Sequence, residues 1–168
     1  MKKTLLPIVI LCFSSCVNLT VEERFNRISN KDKKELVEEL EEMVENEQAL
    51  RMRSVNLNKN ALTYDQVNDS LWIIIDSIDI ANTARLIKIT EKYGFPNVDR
   101  IDAPIPAWLI FQHAPKDSFE ELKVLLKKEN EAKRLPDLEY AMITWHLNGR
   151  KTPNPLGNII MTEDVEGD

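Results

Sequence analysis

Glycine is scarce in this chain, four in 168 residues, and none falls in a G-x-G-x-x-G or G-x-x-x-x-G-K arrangement. A turn that cradles phosphates needs such glycines, which argues against a nucleotide-binding βα unit. Cysteine and histidine are as rare, two of each. They leave little for a structural zinc site, and no metal or cofactor is implied. Positive charge is in deficit, with 22 Lys and Arg against 28 Asp and Glu and a net charge of −6. Phosphate backbones are bound by basic surfaces, so nucleic acid is not an expected partner. No Ser or Cys sits in a recognisable nucleophile motif. What remains is 43% hydrophobic and 30% charged, the composition of a globular domain of this length.

The N-terminus reads as an address. Lys2 and Lys3 precede an apolar run from Thr4 to Phe13, and Ser14-Ser15-Cys16 follow. The run is about ten residues, too short to span a bilayer as a helix. This resembles a bacterial lipoprotein signal, in which residues 1–15 are removed and Cys16 is lipidated and becomes the new N-terminus. Phe13 departs from the aliphatic residue usual in such a signal. Processing would remove Lys2, Lys3 and Cys12, making the mature chain more acidic and leaving Cys16 alone. A lone Cys forms no internal disulfide in an oxidising compartment, and lipidation accounts for it. Stable anchoring takes two or more acyl chains, the number such lipoproteins carry. Val17 stands where an inner-membrane retention signal would place Asp. By that resemblance the outer membrane, facing the periplasm, is the expected location.

Periodicity gives the rest. Residues 16–30 read as a tether, 31–150 as the folded domain and 151–168 as an irregular acidic tail. Leu36, Leu40, Met43, Val44 and Leu50 fall at helical spacing in a helix from about Asp32 to Arg53. The acidic run Glu38, Glu39, Glu41, Glu42 lies mostly off that stripe as a solvated face. A second helix, about Val67 to Tyr93, carries Leu71, Ile75, Ile78, Leu86 and Ile89, with Asn82 on the same stripe. Gly94 is expected as its left-handed cap, and Pro96 as its stop. A third, apolar on all sides and therefore central, runs from Pro106 to His113-Ala114 before Pro115. Ser118-Phe119-Glu120-Glu121 reads as a capping box opening a fourth, with Phe119, Leu122, Leu125 and Leu126 inward. A fifth, about Pro136 to Leu147, turns Leu138, Ala141, Met142 and Trp145 inward. The fold class expected is all-α, one bundle of about five helices.

Three segments carry a further resemblance. Asp79-Ile80-Ala81-Asn82-Thr83-Ala84-Arg85-Leu86, Tyr93-Gly94-Phe95-Pro96 and Gln112-His113-Ala114 follow one another in this order. The set is similar to a bacterial family known only as a domain of unknown function, whose members show D-x-x-N-T-x-x-L, Y-G-W-P and Q-H-A stretches. Glu47-Gln48-Ala49-Leu50-Arg51 resembles its upstream element, and Tyr140-Ala141 the start of its last helix. Trp145-His146 replaces the Asp-Arg usual there, and Pro155-Leu156-Gly157-Asn158 stands near its Tyr-Gly-Thr-Gln segment. The resemblance implies a fold and a candidate site, not a reaction.

The chemistry-bearing residues are few. His113 ends the central helix, where a cationic imidazole is favoured and a neighbouring carboxylate would make it an acid or base. Glu47, Asp79 and Asp117 are the available carboxylates. Arg51, Asn82 and Gln112 are candidate ligand-binding groups, and Trp108 a candidate platform that reads better as core. His146 could join His113 on a metal but lacks a third ligand. Three functions stay open: a lipid-tethered helical binding module with a protein or small-molecule partner in the periplasm; a hydrolase-like enzyme using His113 with Glu47 or Asp79; a purely structural envelope lipoprotein. Asn82→Ala is expected to destabilise the fold more than His113→Ala does.

Overall fold

The computed structural model describes residues 19–157, and among these the chain is helical with no strand. The lipoprotein signal, Cys16 and the end of the acidic tail lie outside the described residues. Seven α-helices follow in order: α1 (Val21–Asn26), α2 (Asn30–Val55), α3 (Tyr64–Tyr93), α4 (Val98–Ile101), α5 (Trp108–Gln112), α6 (Phe119–Glu131) and α7 (Asp137–Leu147). A 3-10 turn, Lys116–Ser118, leads into α6. The count exceeds the five expected because α1 and α4 are single turns too short to show a periodic pattern.

α1 lies inside the segment expected as a tether. Thr20 and Glu23 form a reciprocal capping box, the hydroxyl accepting from the Glu23 amide at 3.2 Å and the carboxylate accepting from the Thr20 amide at 2.7 Å. A helix of six residues does not hold alone in water. It is held from outside: Glu22 pairs with Arg100 and Arg134 at 3.0 and 3.2 Å, and Arg24 donates to the Glu91 carbonyl at 3.3 Å. α1 therefore docks on the C-terminal end of α3.

α2 and α3 form a long antiparallel hairpin. Glu39 meets Arg85, Met43 meets Asn82, and Arg51 meets Asp79, so numbering rises along one helix as it falls along the other. Leu36, Leu40, Met43 and Val44 are buried on α2, and Leu71, Ile75, Leu86 and Ile89 on α3. Leu50 and Ile78 are half-buried, and Trp72, Ile73 and Ile74 face outward. α5 is the central element, with Ile110 and Phe111 fully buried where it packs on α2, α3 and α7.

Three local expectations are corrected. Ser118 has helical backbone at the end of the 3-10 turn, and its side chain caps nothing; a capping Ser needs extended backbone. On α7 the inward residues are Met142, Ile143 and Leu147, while Leu138 is 43% exposed, because it sits in the first turn, outside the packed stretch. Gly94 has the positive φ foreseen, 81°, but its ψ of 164° is extended, not left-handed helical. A Cβ there would also lie 2.6 Å from Arg134 Cδ. Glycine is required twice over, by backbone and by space.

Candidate functional site

The seam of the hairpin is polar at one end. Residues 40, 43, 44, 47 and 51 share a face of α2, so position 47 falls where the apolar stripe would place a leucine. Glu47 occupies it and is 1% exposed. A carboxylate buried so deeply is stable only if paired. His113, the C-cap of α5, brings Nδ1 into direct contact with Glu47 Oε1. One turn along α2, Arg51 places Nε 3.5 Å from the same oxygen. Arg51 Nη2 donates to both oxygens of Asp79 on α3, at 2.7 and 2.6 Å. Four of the foreseen residues, Glu47, Arg51, Asp79 and His113, thus converge from three helices.

The cluster is graded in depth. The Glu47 and Asp79 side chains are 1% and 10% exposed, those of Arg51 and His113 18% and 20%. Acceptors lie beneath, and donors form the rim. Burial pushes the Asp79 carboxyl above the usual aspartate range; the Arg51 hydrogen bonds and charge pull it back, and the Glu47 charge adds to the push. With Nδ1 held by a carboxylate, His113 Nε2 is the ring nitrogen left to meet a ligand. Glu47 Oε2, Arg51 Nε, Gln48 Nε2 and Thr83 Oγ1 are buried with no hydrogen-bond partner. The site keeps unspent polar capacity.

His146 makes no hydrogen bond to the cluster. Its Nε2 donates to the Ala114 carbonyl at 3.2 Å and its ring meets Phe119 edge-on. Burial lowers its pKa against the carbonyl hydrogen bond, and the charges of Arg150, His113 and Arg51 lower it further. No group of three metal-ligating side chains occurs among the described residues. Trp108 packs against the hydrophobic core, Gln112 is half-buried beside His113, and Asp117 is exposed in the 3-10 turn.

Asn82 does not join the cluster. Its Nδ2 donates to the Met43 carbonyl at 3.2 Å, tying α3 to α2. It borders a surface groove of about 350 Å³ with Met43, Asn46, Ala81 and Arg85. The carbonyl it serves is inside a helix and has an amide partner of its own, so Asn82→Ala is expected to cost only about 1 kcal/mol. His113→Ala strands a buried carboxylate and is expected to cost more, reversing the order read from sequence. Thermal unfolding of the two variants side by side checks this; an Asn82 variant less stable than the His113 variant would refute it.

Two further acids escaped the sequence reading. Glu129 is fully buried on α6. Glu139 on α7 is half-buried, its Oε2 has no partner, and burial pushes its carboxyl from 4.5 up to about 7. A raised carboxyl favours folding in its protonated form. That stability is complete below about 4.5 and is lost as pH rises through about 7. Glu139→Gln is therefore expected to raise the melting temperature at pH 8 by roughly 2–5 °C, allowing for screening at a half-exposed site, and to change it little near pH 4. An equal shift at both pH values would remove the explanation.

Compared with family models, curated proteins and solved structures, the chain matches none. The site is accordingly read from its own chemistry.

Proposed function

We propose that the protein is a lipid-anchored helical binding module of the bacterial envelope, and that its ligand docks at the His113 rim of the buried cluster. The observation that carries the reading is the depth order: donors on the rim, carboxylates beneath them. A ligand arriving from solvent meets His113 and Arg51 first. Such a rim favours an acceptor-bearing group, a carboxylate or an amide, over a cation. The lipid anchor rests on the sequence around Cys16. α1 begins shortly after that residue and docks on the end of α3, so the anchor would hold that end of the hairpin toward the membrane.

Two measurements test the reading. Cys16→Ala should release the protein from the membrane fraction; unchanged association removes the anchor. NMR titration of the protein with acetate, acetamide and a short acidic peptide should shift His113 and Arg51 resonances, and His113→Ala should abolish the response. Silence at both residues with all three probes removes the ligand site and leaves a structural envelope lipoprotein.

One observation favours a second reading. A carboxylate on Nδ1 leaves Nε2 oriented as a general base, the arrangement a hydrolase needs to activate water. Hydrolysis of chromogenic esters that is lost in His113→Ala and reduced in Glu47→Gln would establish it.

A further inference from the structure

One face of the α2/α3 hairpin is open along its length. Leu71, Ile75, Asp79 and Thr83 form the buried stripe of α3. A second stripe, which Leu71 also borders, lines a row of shallow grooves shared with α2. Toward the α2–α3 loop this stripe carries its apolar residues, Val67 and Ile74, 40% and 49% exposed, then Ile78 and Ala81, beside Gln66 and Ser70 and with Arg53 and Asn46 on the α2 side. Toward the α1 end it is charged, and the charge is divided between the helices. Asp32, Glu35, Glu39 and Glu42 line the α2 side, and Arg85, Lys88 and Lys92 the α3 side.

We propose that a second copy of this chain covers this face, related by a twofold axis parallel to the hairpin, so that the two hairpins form a four-helix bundle. The charge pattern selects the occupant and the axis. A twofold along the helices sets α2 of one copy over α3 of the other at the same height. Glu35 then faces the partner copy's Lys88, and the two Ile74-bearing ends lie at the same height, Ile74 over the partner copy's α2. A twofold across the helices would instead stack α2 on α2 and press Lys88 and Lys92 against the apolar end. The charged half of the face is self-complementary in the first arrangement alone, as an isologous contact requires.

The dimensions suit a stable dimer. α2 has 26 residues, which makes it about 39 Å long. Two helices side by side present a strip about 20 Å wide, on the order of 800 Å² per copy, the size of a standard specific interface. Glu39 and Arg85 already pair across the groove within one chain, at 2.7 Å through Nη2, and mark the junction of the two halves. The acidic α2 rim opposes docking on an anionic bilayer.

Sedimentation equilibrium of the full chain, in density-matched detergent, tests the proposal. The expected result is a dimer that Ile74→Glu converts to a monomer with unchanged helical circular dichroism. Lys88→Glu alone should weaken the dimer roughly tenfold. Adding Glu35→Lys in the same chain should restore it, since each reversed charge then meets its reversed partner. Cross-linking between Lys88 and Glu35 of differently labelled copies should yield mixed-label products. A monomeric parent, a dimer indifferent to Ile74→Glu, or failure of the charge swap to restore affinity overturns the proposal. A parent monomer that binds neutral vesicles through the Ile74 face would put a membrane there in place of the second copy.

Discussion

Glu129→Ala is expected to remove about 3–5 kcal/mol of stability, the usual consequence of stripping one partner from a buried ion pair. Glu129 is 1% exposed on α6. Its Oε2 accepts from the Phe95 amide at 2.9 Å and from Arg134 Nε at 2.6 Å, and its Oε1 accepts from Arg134 Nη2 at 2.7 Å. Arg134 in turn reaches Glu22 of α1, and its carbonyl accepts from Asn97 Nδ2 at 2.6 Å. One carboxylate therefore fixes the guanidinium that forms the wall beside Gly94 and the amide that opens the Phe95-Pro96 segment. Removing it leaves the nearly buried Arg134 with Glu22 as its remaining anion and a buried N–H unpaired. Domains of this kind have about 5–15 kcal/mol in total, so the loss is a large fraction of the whole and should lower the unfolding midpoint sharply. Urea unfolding checks this, with Glu129→Gln expected in between because it retains one acceptor oxygen. A Glu129→Ala midpoint equal to that of the parent would show that the clamp does not hold the turn.

The long elements were legible because they bury a stripe. Leu36 to Val44 and Leu71 to Ile89 repeat at helical spacing over enough residues to fix type and approximate ends. α2 and α3 extend only a few residues beyond the expected limits. α1 and α4 were not legible, since one turn has no period, although Thr20 and Glu23 carried the capping signal for the first. The face of α7 was misread because it is apolar nearly all round, so Leu138 and Ile143 look alike in sequence. The site was legible as a set of residues but not as an arrangement. His113, Glu47, Arg51 and Asp79 stood out by type; Asn82 looked like their neighbour because it shares the stripe of α3, and only the register against α2 sends it to Met43 instead. Glu47 at a stripe position, one turn after Met43, was the visible sign of a buried charge. Glu129 stood in the same relation to Leu122, Leu125 and Leu126 and was passed over within a run of charged residues.

Glu47→Ala is the variant that decides whether the cluster acts as a unit. The carboxylate touches His113 Nδ1 and faces Arg51 Nε at 3.5 Å. Its loss deprives the imidazole of its partner and leaves Arg51 with Asp79 alone. A cost of roughly 3 kcal/mol is expected, near the lower limit for a broken buried pair because Arg51 keeps one anion. In a double-mutant cycle with His113→Ala, the combined variant should be more stable than the two separate losses predict, by roughly 1–3 kcal/mol. Additive losses would mean that the contact carries no energy, and the proposed ligand site would lose its support. Glu47→Gln gives an independent readout at Asp79. Burial is the main cause of that carboxyl's raised pKa, and the Glu47 charge is a further one, so Glu47→Gln should move the Asp79 titration downward. The stability held by protonated Asp79 is complete below its unfolded value and lost as pH rises through its folded one. Glu47→Gln should narrow that window from its upper edge. Carboxyl-carbon NMR of Asp79 in the two proteins measures the shift directly, and an unmoved or rising Asp79 titration would break the electrostatic link between the two acids.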